Sequence, residues 1–344
     1  MADTSKIRVG VVGAGWFASR RHLPDIVASA EAEIAALCRR DAAQLRRVAD
    51  HFGVCRTFTD YRRMLEEVEM DAVLVTTPHA LHHAQARAAL ERGLHVLLEK
   101  PMAVSSAEAR DLVALSQEKG RVLLVAQNPP YWSHCHLLRQ VVRSEAFGDL
   151  EAVSISWTGN AEWVFGRGPL PKEIPGVVPP TLYRGDPALN GGGGFMDGGP
   201  HLVCELLWAT GLRARSVVAF MDDPVVDMRT TVTVALENGA QATICYVGDT
   251  RHPGRRVRSL YFGSKATVLV EGQPFSLTTI RPGEAPTIVA EKDMPPVPGP
   301  VANFIDAIRG RAEPLSGPLD GLRCVEVLEA AYRSARSGQR IAIA

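Results

Sequence analysis

The 344-residue chain sets 38 Lys and Arg against 38 Asp and Glu, which excludes the broad basic field of a nucleic-acid or anionic-membrane binder. The length predicts two domains, and no apolar run approaches the ~20 residues of a bilayer span. The opening Met-Ala-Asp-Thr-Ser-Lys lacks the apolar core of a secretory signal. The six scattered cysteines contain no C-x-x-C pair and read as reduced, so a cytoplasmic protein with no metal and no membrane partner is expected.

In chain order, the apolar run from Ile7 predicts a strand that ends in Gly13-Ala14-Gly15-Trp16-Phe17-Ala18. This is the spacing G-x-G-x-x-G/A, in which the first glycine permits a tight turn and the second lets backbone approach a pyrophosphate. The third small residue keeps helix and strand close, and the helix N-terminus offers N–H groups to the anion. A helix near 20–29 and a strand from Glu33 to Cys38 follow, then a helix from Ala42 to Phe52 with Leu45, Val48, Ala49 and Phe52 on one face. Asp60 is placed to cap a helix through Val68. Apolar strands are predicted at 71–75, 95–98 and 122–126. Between them lie a helix over 81–92 stopped by Gly93, and one opened by the capping box Ser105/Glu108 and closed by Gly120. Almost wholly apolar strands alternating with helices predict a parallel sheet covered on both faces.

Beyond Gln127 the pattern changes. After a helix near 134–144, Val153-Ser154-Ile155-Ser156-Trp157 alternates apolar and polar, and Asn238-Gly239 between 230–237 and 240–247 is a strong hairpin signal. Further strands near 259–262 and 267–270 and a final helix near 321–335 complete an α+β domain with a large, mainly antiparallel open sheet. The fold class is therefore α/β, with a dinucleotide-binding domain over 1–127 and an α+β domain over 128–344; the family resemblance set out below implies that these are a Rossmann domain and a substrate and oligomerisation domain.

Chemistry concentrates in a few places. Lys100, in Glu99-Lys100-Pro101, follows a strand at the sheet edge where open α/β folds bind ligands, and its ammonium would stabilise a developing alkoxide. Asp197 and His201, four apart, share one face of a predicted helix; His201 is suited to general acid/base work. The bland alternative is a capping Asp197 and a core His201. Where an NAD site would place Asp or Glu after the second strand, the chain has Arg39 and Arg40, which suit a 2′-phosphate and favour NADP over NAD; if both are merely solvated, either cofactor fits. Further cofactor contacts are expected from Thr76, Thr77, Pro78, His79, His82, Glu99 and Asn128. The long irregular segment from Thr158 to Asn190 offers Trp163, Tyr183 and Arg184 to a sugar or serves only to pin a proline-rich loop. In His134-Cys135-His136 adjacent helical positions point apart, which argues against zinc.

Taken in order, Gly13–Ala18, Thr77-Pro78 with His82, Glu99-Lys100-Pro101 and Gly-Gly-Gly-Phe195-Met196-Asp197-Gly198-Gly199-Pro200-His201 closely resemble the glucose–fructose oxidoreductase / inositol dehydrogenase / MocA-like (Gfo/Idh/MocA) family. The resemblance implies hydride transfer between a nicotinamide cofactor and a secondary hydroxyl or ketone of a sugar, cyclitol or polyol, with Lys100, Asp197 and His201 as the catalytic set. It also implies a homodimer or homotetramer joined through the sheet. Where the family usually carries an arginine-containing stretch after the sixth strand, this chain has Pro129-Pro130-Tyr131-Trp132. Two other readings remain at this point: a glycosidase using tightly held NAD for transient oxidation, and a non-catalytic dinucleotide sensor.

Overall fold

A computed structural model describes residues 5–343. They form two units: the first comprises the chain to Ala126 with Trp163–Leu189 and Pro298–Gly321, the second Gln127–Glu162, Asn190–Val297 and Leu322 onward.

The first unit is built on six strands, β1 (Ile7–Val12), β2 (Ala32–Cys38), β3 (Thr57–Phe58), β4 (Ala72–Val75), β5 (His95–Glu99) and β6 (Leu123–Ala126). Their order is β3-β2-β1-β4-β5-β6, with every pairing parallel. The order reverses beside β1, and that switch point is where an open α/β sheet leaves a crevice at its carboxyl edge. The connections are α1 (Leu23–Ala28), α2 (Ala42–Phe52), α3 (Tyr61–Glu67), α4 (His82–Glu91) and α5 (Ser106–Lys119). The caps at Asp60, Ser105 and Gly120 are those the sequence predicts, and Asp41 and Gly53 add two more. Asp41 accepts from Gln44 N, Asp60 from Arg62 N and Ser105 from Glu108 N, while Gly53 and Gly120 close α2 and α5 at positive φ. The predicted helix over 20–29 is divided: a π-helical turn spans Ala18–His22 before α1 begins. β4 and β6 are buried along their whole length, as strands covered on both faces must be.

The second unit contains α6 (Ser133–Val142), β7 (Leu150–Thr158), the last residue of the one-turn α7 (Pro187–Asn190), α8 (Gly194–Thr210), and the strands β8 (Ala214–Met221), β9 (Arg229–Leu236), β10 (Gln241–Val247), β11 (Arg256–Gly263), β12 (Thr267–Gly272), β13 (Ser276–Ile280) and β14 (Thr287–Ala290). After α9 (Pro300–Ile308), which belongs to the first unit, α10 (Pro318–Ser337) leads to β15 (Ile341–Ala342). The nine strands are ordered β14-β13-β12-β11-β7-β10-β9-β8-β15. All neighbours are antiparallel except β7 and β10, which run parallel at the centre. Gly239, at φ +93°, turns β9 into β10 as the Asn-Gly pair predicts.

Burial alternates strictly along β9, with Thr230, Val232, Val234 and Leu236 on the inner face. That face carries a core including Phe147, Phe195, Tyr261, Val327 and Leu328, each such side chain contributing roughly 1.5–3 kcal/mol on transfer from water. The opposite face leaves Phe220 at 74% and Ile288 at 68% exposure.

Among the described residues no helix is long and apolar enough to cross a membrane, and none of the six cysteines forms a disulfide. Segment 163–189, which the sequence reading assigns to the second domain, instead packs on the first unit. Trp163 meets Trp16 there, and Tyr183 meets His79.

Candidate functional site

The glycine-rich turn is built by close approaches that a side chain would prevent. Gly13 has φ +94°, and a Cβ there would sit 2.8 Å from the Thr76 carbonyl. The Thr76 hydroxyl donates to Gly13 O at 2.6 Å, and Gly13 N and Ala14 N both donate to Cys38 O. β1, β2 and the loop after β4 are thereby locked into one turn. A Cβ on Gly15 would lie 3.1 Å from Arg39 Nη1, which donates to Ala14 O at 3.2 Å. Arg39 is half-buried against the turn and Arg40 is exposed; burial lowers the Arg39 guanidinium somewhat, with Asp41 opposing. Glycine at both cradle positions fits a pyrophosphate passing close to backbone. Trp16 and Phe17 follow on the turn, half-buried, while Ala18 is fully buried.

Lys100 is presented by the turn after β5, and its peptide bond to Pro101 is cis. Glu99 holds that turn, accepting from Lys100 N at 3.1 Å and pairing with His22 Nε2 at 2.8 Å. His82 is completely buried; its Nδ1 lies 2.7 Å from Pro101 O and its Nε2 2.8 Å from Thr77 O. Burial lowers its pKa, opposed by those carbonyls and by Glu99. His82 therefore braces the Thr77-Pro78 loop against the Glu99-Lys100-Pro101 turn from behind. His79 is nearly as buried, at 2%, and the neighbouring His83 pairs with Asp111. Asn128, the remaining expected cofactor residue, falls in the second unit, where its carbonyl accepts from Tyr131 N.

In the second unit, α8 is buried almost all round. Between Gly194 and Ala209 only Asp197, Gly198 and His201 reach solvent, so the two predicted site residues share the one open stripe of an otherwise core helix. The glycines beside them are packing requirements. A Cβ on Gly198 or Gly194 would strike the Tyr246 ring, and one on Gly193 would strike Asp227. Tyr246 stacks on its register partner Trp157 at 5.1 Å and 8°; burial, with Asp197 and Asp227 nearby, raises its phenol well above the ordinary tyrosine range.

The start of α8 is held by two buried side chains. Asp227 accepts from Phe195 N at 2.7 Å, from Thr230 Oγ1 at 2.9 Å and from Tyr332 Oη at 2.6 Å. Tyr332 Oη in turn accepts from Gly193 N and Met196 N at 3.0 Å each. At the other end, Arg139 and Arg143 donate to the carbonyls of Trp208 and Ala209. Side chains thus meet several of the backbone groups that a helix leaves unsatisfied at its two ends.

Beside His201 lies an aromatic stack that the sequence alone does not disclose. Trp132 is 6.1 Å from the His201 ring, His134 lies over Trp132 at 5.3 Å, and Phe275 lies over His134 at 3.7 Å. Burial pushes the His134 pKa down to about 4. His136 turns away and meets Pro130 O, so the two histidines diverge as their adjacency predicts. Trp132 stands in the stretch that departs from the usual family pattern; Phe275, more than 140 positions on, carries no local signal.

A family profile described as "Oxidoreductase family, NAD-binding Rossmann fold" matches residues 7–127, and one described as "GFO/IDH/MocA C-terminal domain" matches residues 135–269. The chain belongs to the Gfo/Idh/MocA oxidoreductase family. Among curated relatives it is 34% identical over 216 residues to a dTDP-3,4-didehydro-2,6-dideoxy-alpha-D-glucose 3-reductase of Streptomyces violaceoruber, a match covering 62% of this chain and 57% of the relative. It is 30% identical over 237 residues to D-xylose 1-dehydrogenase (NADP(+)) 2 of Haloferax volcanii, covering 68% of this chain and 67% of that one. Among solved structures, the WlbA dehydrogenase from Bordetella pertussis in complex with NADH and UDP-GlcNAcA matches with TM-score 0.81 and 26% identity, covering 98% of this chain and 99% of that one. An NAD-binding Rossmann fold and an oxidoreductase class follow from family membership.

Proposed function

We propose that this Gfo/Idh/MocA oxidoreductase interconverts a secondary hydroxyl and a ketone on a sugar or a related polyol. The observation that carries the reading is the solvent-open stripe Asp197–Gly198–His201 on a helix buried everywhere else between Gly194 and Ala209; the three relatives reported above, named for a dTDP-sugar, for D-xylose and for a complex with UDP-GlcNAcA, point the same way. A bound nicotinamide supplies the hydride acceptor or donor. His201 takes the hydroxyl proton in oxidation and returns it in reduction. Lys100 holds the substrate oxygen and offsets its developing negative charge. Asp197 binds a substrate hydroxyl or orients His201, and Trp132 offers an aromatic face to the C–H face of the ring beside them.

The test is a panel of sugars, cyclitols, sugar nucleotides and their keto forms, read by nicotinamide absorbance with both cofactors. Turnover of at least one secondary alcohol or ketone is expected; a protein that binds nicotinamide but turns over none of them overturns the reading.

For the cofactor we propose NADP over NAD, resting on Arg39 beside the glycine-rich turn. Arg39→Asp is expected to weaken NADP binding ten- to hundredfold, since a charge-assisted hydrogen bond contributes about 1.5–3 kcal/mol, and to leave NAD binding unchanged or improved. Equal calorimetric affinity of the parent protein for both dinucleotides overturns the preference.

We further propose that two copies pair through the open sheet face. Phe220, Phe262, Ile280 and Ile288 are exposed on strands of that sheet, and apolar surface of this kind commonly marks an interface. Light scattering is expected to give a dimer or tetramer at micromolar concentration; a monomer mass refutes it.

A further inference from the structure

We propose that residues 163–189 form a strap that closes over the dinucleotide and governs how fast it leaves. The proposal rests on the nicotinamide site argued above and adds to it a segment that the glycine-rich motif does not contain.

The strap touches the first unit at both ends of the path a dinucleotide would take. At the phosphate end, Trp163 meets Trp16 edge-on at 5.4 Å and 77°. Trp16 directly follows Gly15 and also carries the Arg20 guanidinium 5.1 Å from its ring. One turn on, Val178 N donates to Ser19 Oγ at 3.4 Å, and Ser19 Oγ donates to Gly15 O at 2.9 Å. At the other end, Tyr183 meets His79 edge-on at 5.3 Å and 81°, directly after Thr77-Pro78.

Between these points the strap is fastened rather than loose. Val164, Phe165 and Val178 are buried. Its two limbs meet where a Cβ on Gly185 would lie 2.8 Å from Phe165 O and one on Gly166 would lie 3.3 Å from Leu182. The tip turns through an Ile174–Val177 bridge with Gly176 at φ +75°, where a side chain would collide with the His51 ring. A long connecting segment of this kind, with its limbs packed on each other, commonly acts as a lid or binding loop. Because Trp163 lies on the residue next to Gly15, a pyrophosphate leaving the turn displaces that pair first. Release is then limited by strap opening, as in other enzymes gated by loops.

The charged part of the strap supplies an independent readout. Arg167 and Lys172 are exposed on it and are trypsin sites. The full-length protein, loaded with NADPH or NADH and mixed with excess oxidised dinucleotide, reports release through the loss of reduced-nicotinamide fluorescence. Trp163→Ala and Tyr183→Ala are each expected to speed release about tenfold, roughly the weight of one lost aromatic pair. In the parent protein, saturating NADPH is expected to slow cleavage at Arg167 and Lys172 by a similar factor, which tests the strap even if a variant fails to fold. Release rates within twofold of the parent in both variants, with cleavage unaffected by dinucleotide, overturn the strap and leave the nicotinamide reading standing. Absence of any NADPH or NADH binding overturns the nicotinamide reading itself, and the strap with it.

Discussion

His201→Ala is expected to lower turnover by about 10²–10⁴-fold, the weight of a positioned general acid/base, while dinucleotide affinity stays at the parent value. The glycine-rich turn, Arg39 and the Thr76–Pro78 loop all belong to the first unit, and His201 to the second, so the substitution touches none of those proposed dinucleotide residues. Lys100→Ala is expected to lose at least as much, because the substrate oxygen then carries its developing charge without a cation. The two losses should fall short of additive if both groups serve one transition state. The measurement is kcat and KM for the parent, both single variants and the double variant, with dinucleotide affinity by calorimetry. Turnover of His201→Ala within about threefold of the parent would show that the proton travels by another route. Strictly additive losses would show that Lys100 and His201 act in separate steps.

Much of this arrangement is legible in the amino-acid order because it is local. A tight turn needs glycine at position 13, a helix start needs Asp60 or Ser105, and a hairpin needs Asn238-Gly239. Each requirement is met within four residues of the feature it creates. The i, i+4 spacing of Asp197 and His201 likewise places both on the open stripe of α8. What escapes such reading is set by contacts distant in sequence. Nothing around Trp163 or Tyr183 announces that their partners are Trp16 and His79. The alternation along β7 and β10 is the same for parallel and antiparallel neighbours, so their parallel pairing has no local mark. His82 is expected on the cofactor side from its place after Thr77-Pro78; the structure puts it at the start of α4, with its ring buried between the Thr77 and Pro101 carbonyls.

Asp227 is the most consequential of these silent residues, and it lies outside every motif of the family resemblance. Its carboxylate is fully buried, takes hydrogen bonds from Phe195 N, Thr230 and Tyr332, and through Tyr332 also governs Gly193 N and Met196 N. Burial raises its pKa, while those three donors act to lower it. Asp227→Ala strands three donors in a dry site, each costing roughly 1–3 kcal/mol when left unsatisfied, so a loss of at least about 3 kcal/mol in unfolding free energy is expected. Asp227→Asn keeps the shape and one acceptor oxygen and should lose less; Tyr332→Phe, which removes the acceptor for Gly193 N and Met196 N, should fall between the parent and Asp227→Ala. Urea titration of the four proteins measures the series, and turnover should decline in the same order, because the first turn of α8 carries Asp197 and leads directly to His201. A destabilisation of Asp227→Ala below about 1 kcal/mol, the net worth of a single ordinary hydrogen bond, would mean that water or a shifted backbone replaces the carboxylate and that α8 is positioned by its apolar surface alone.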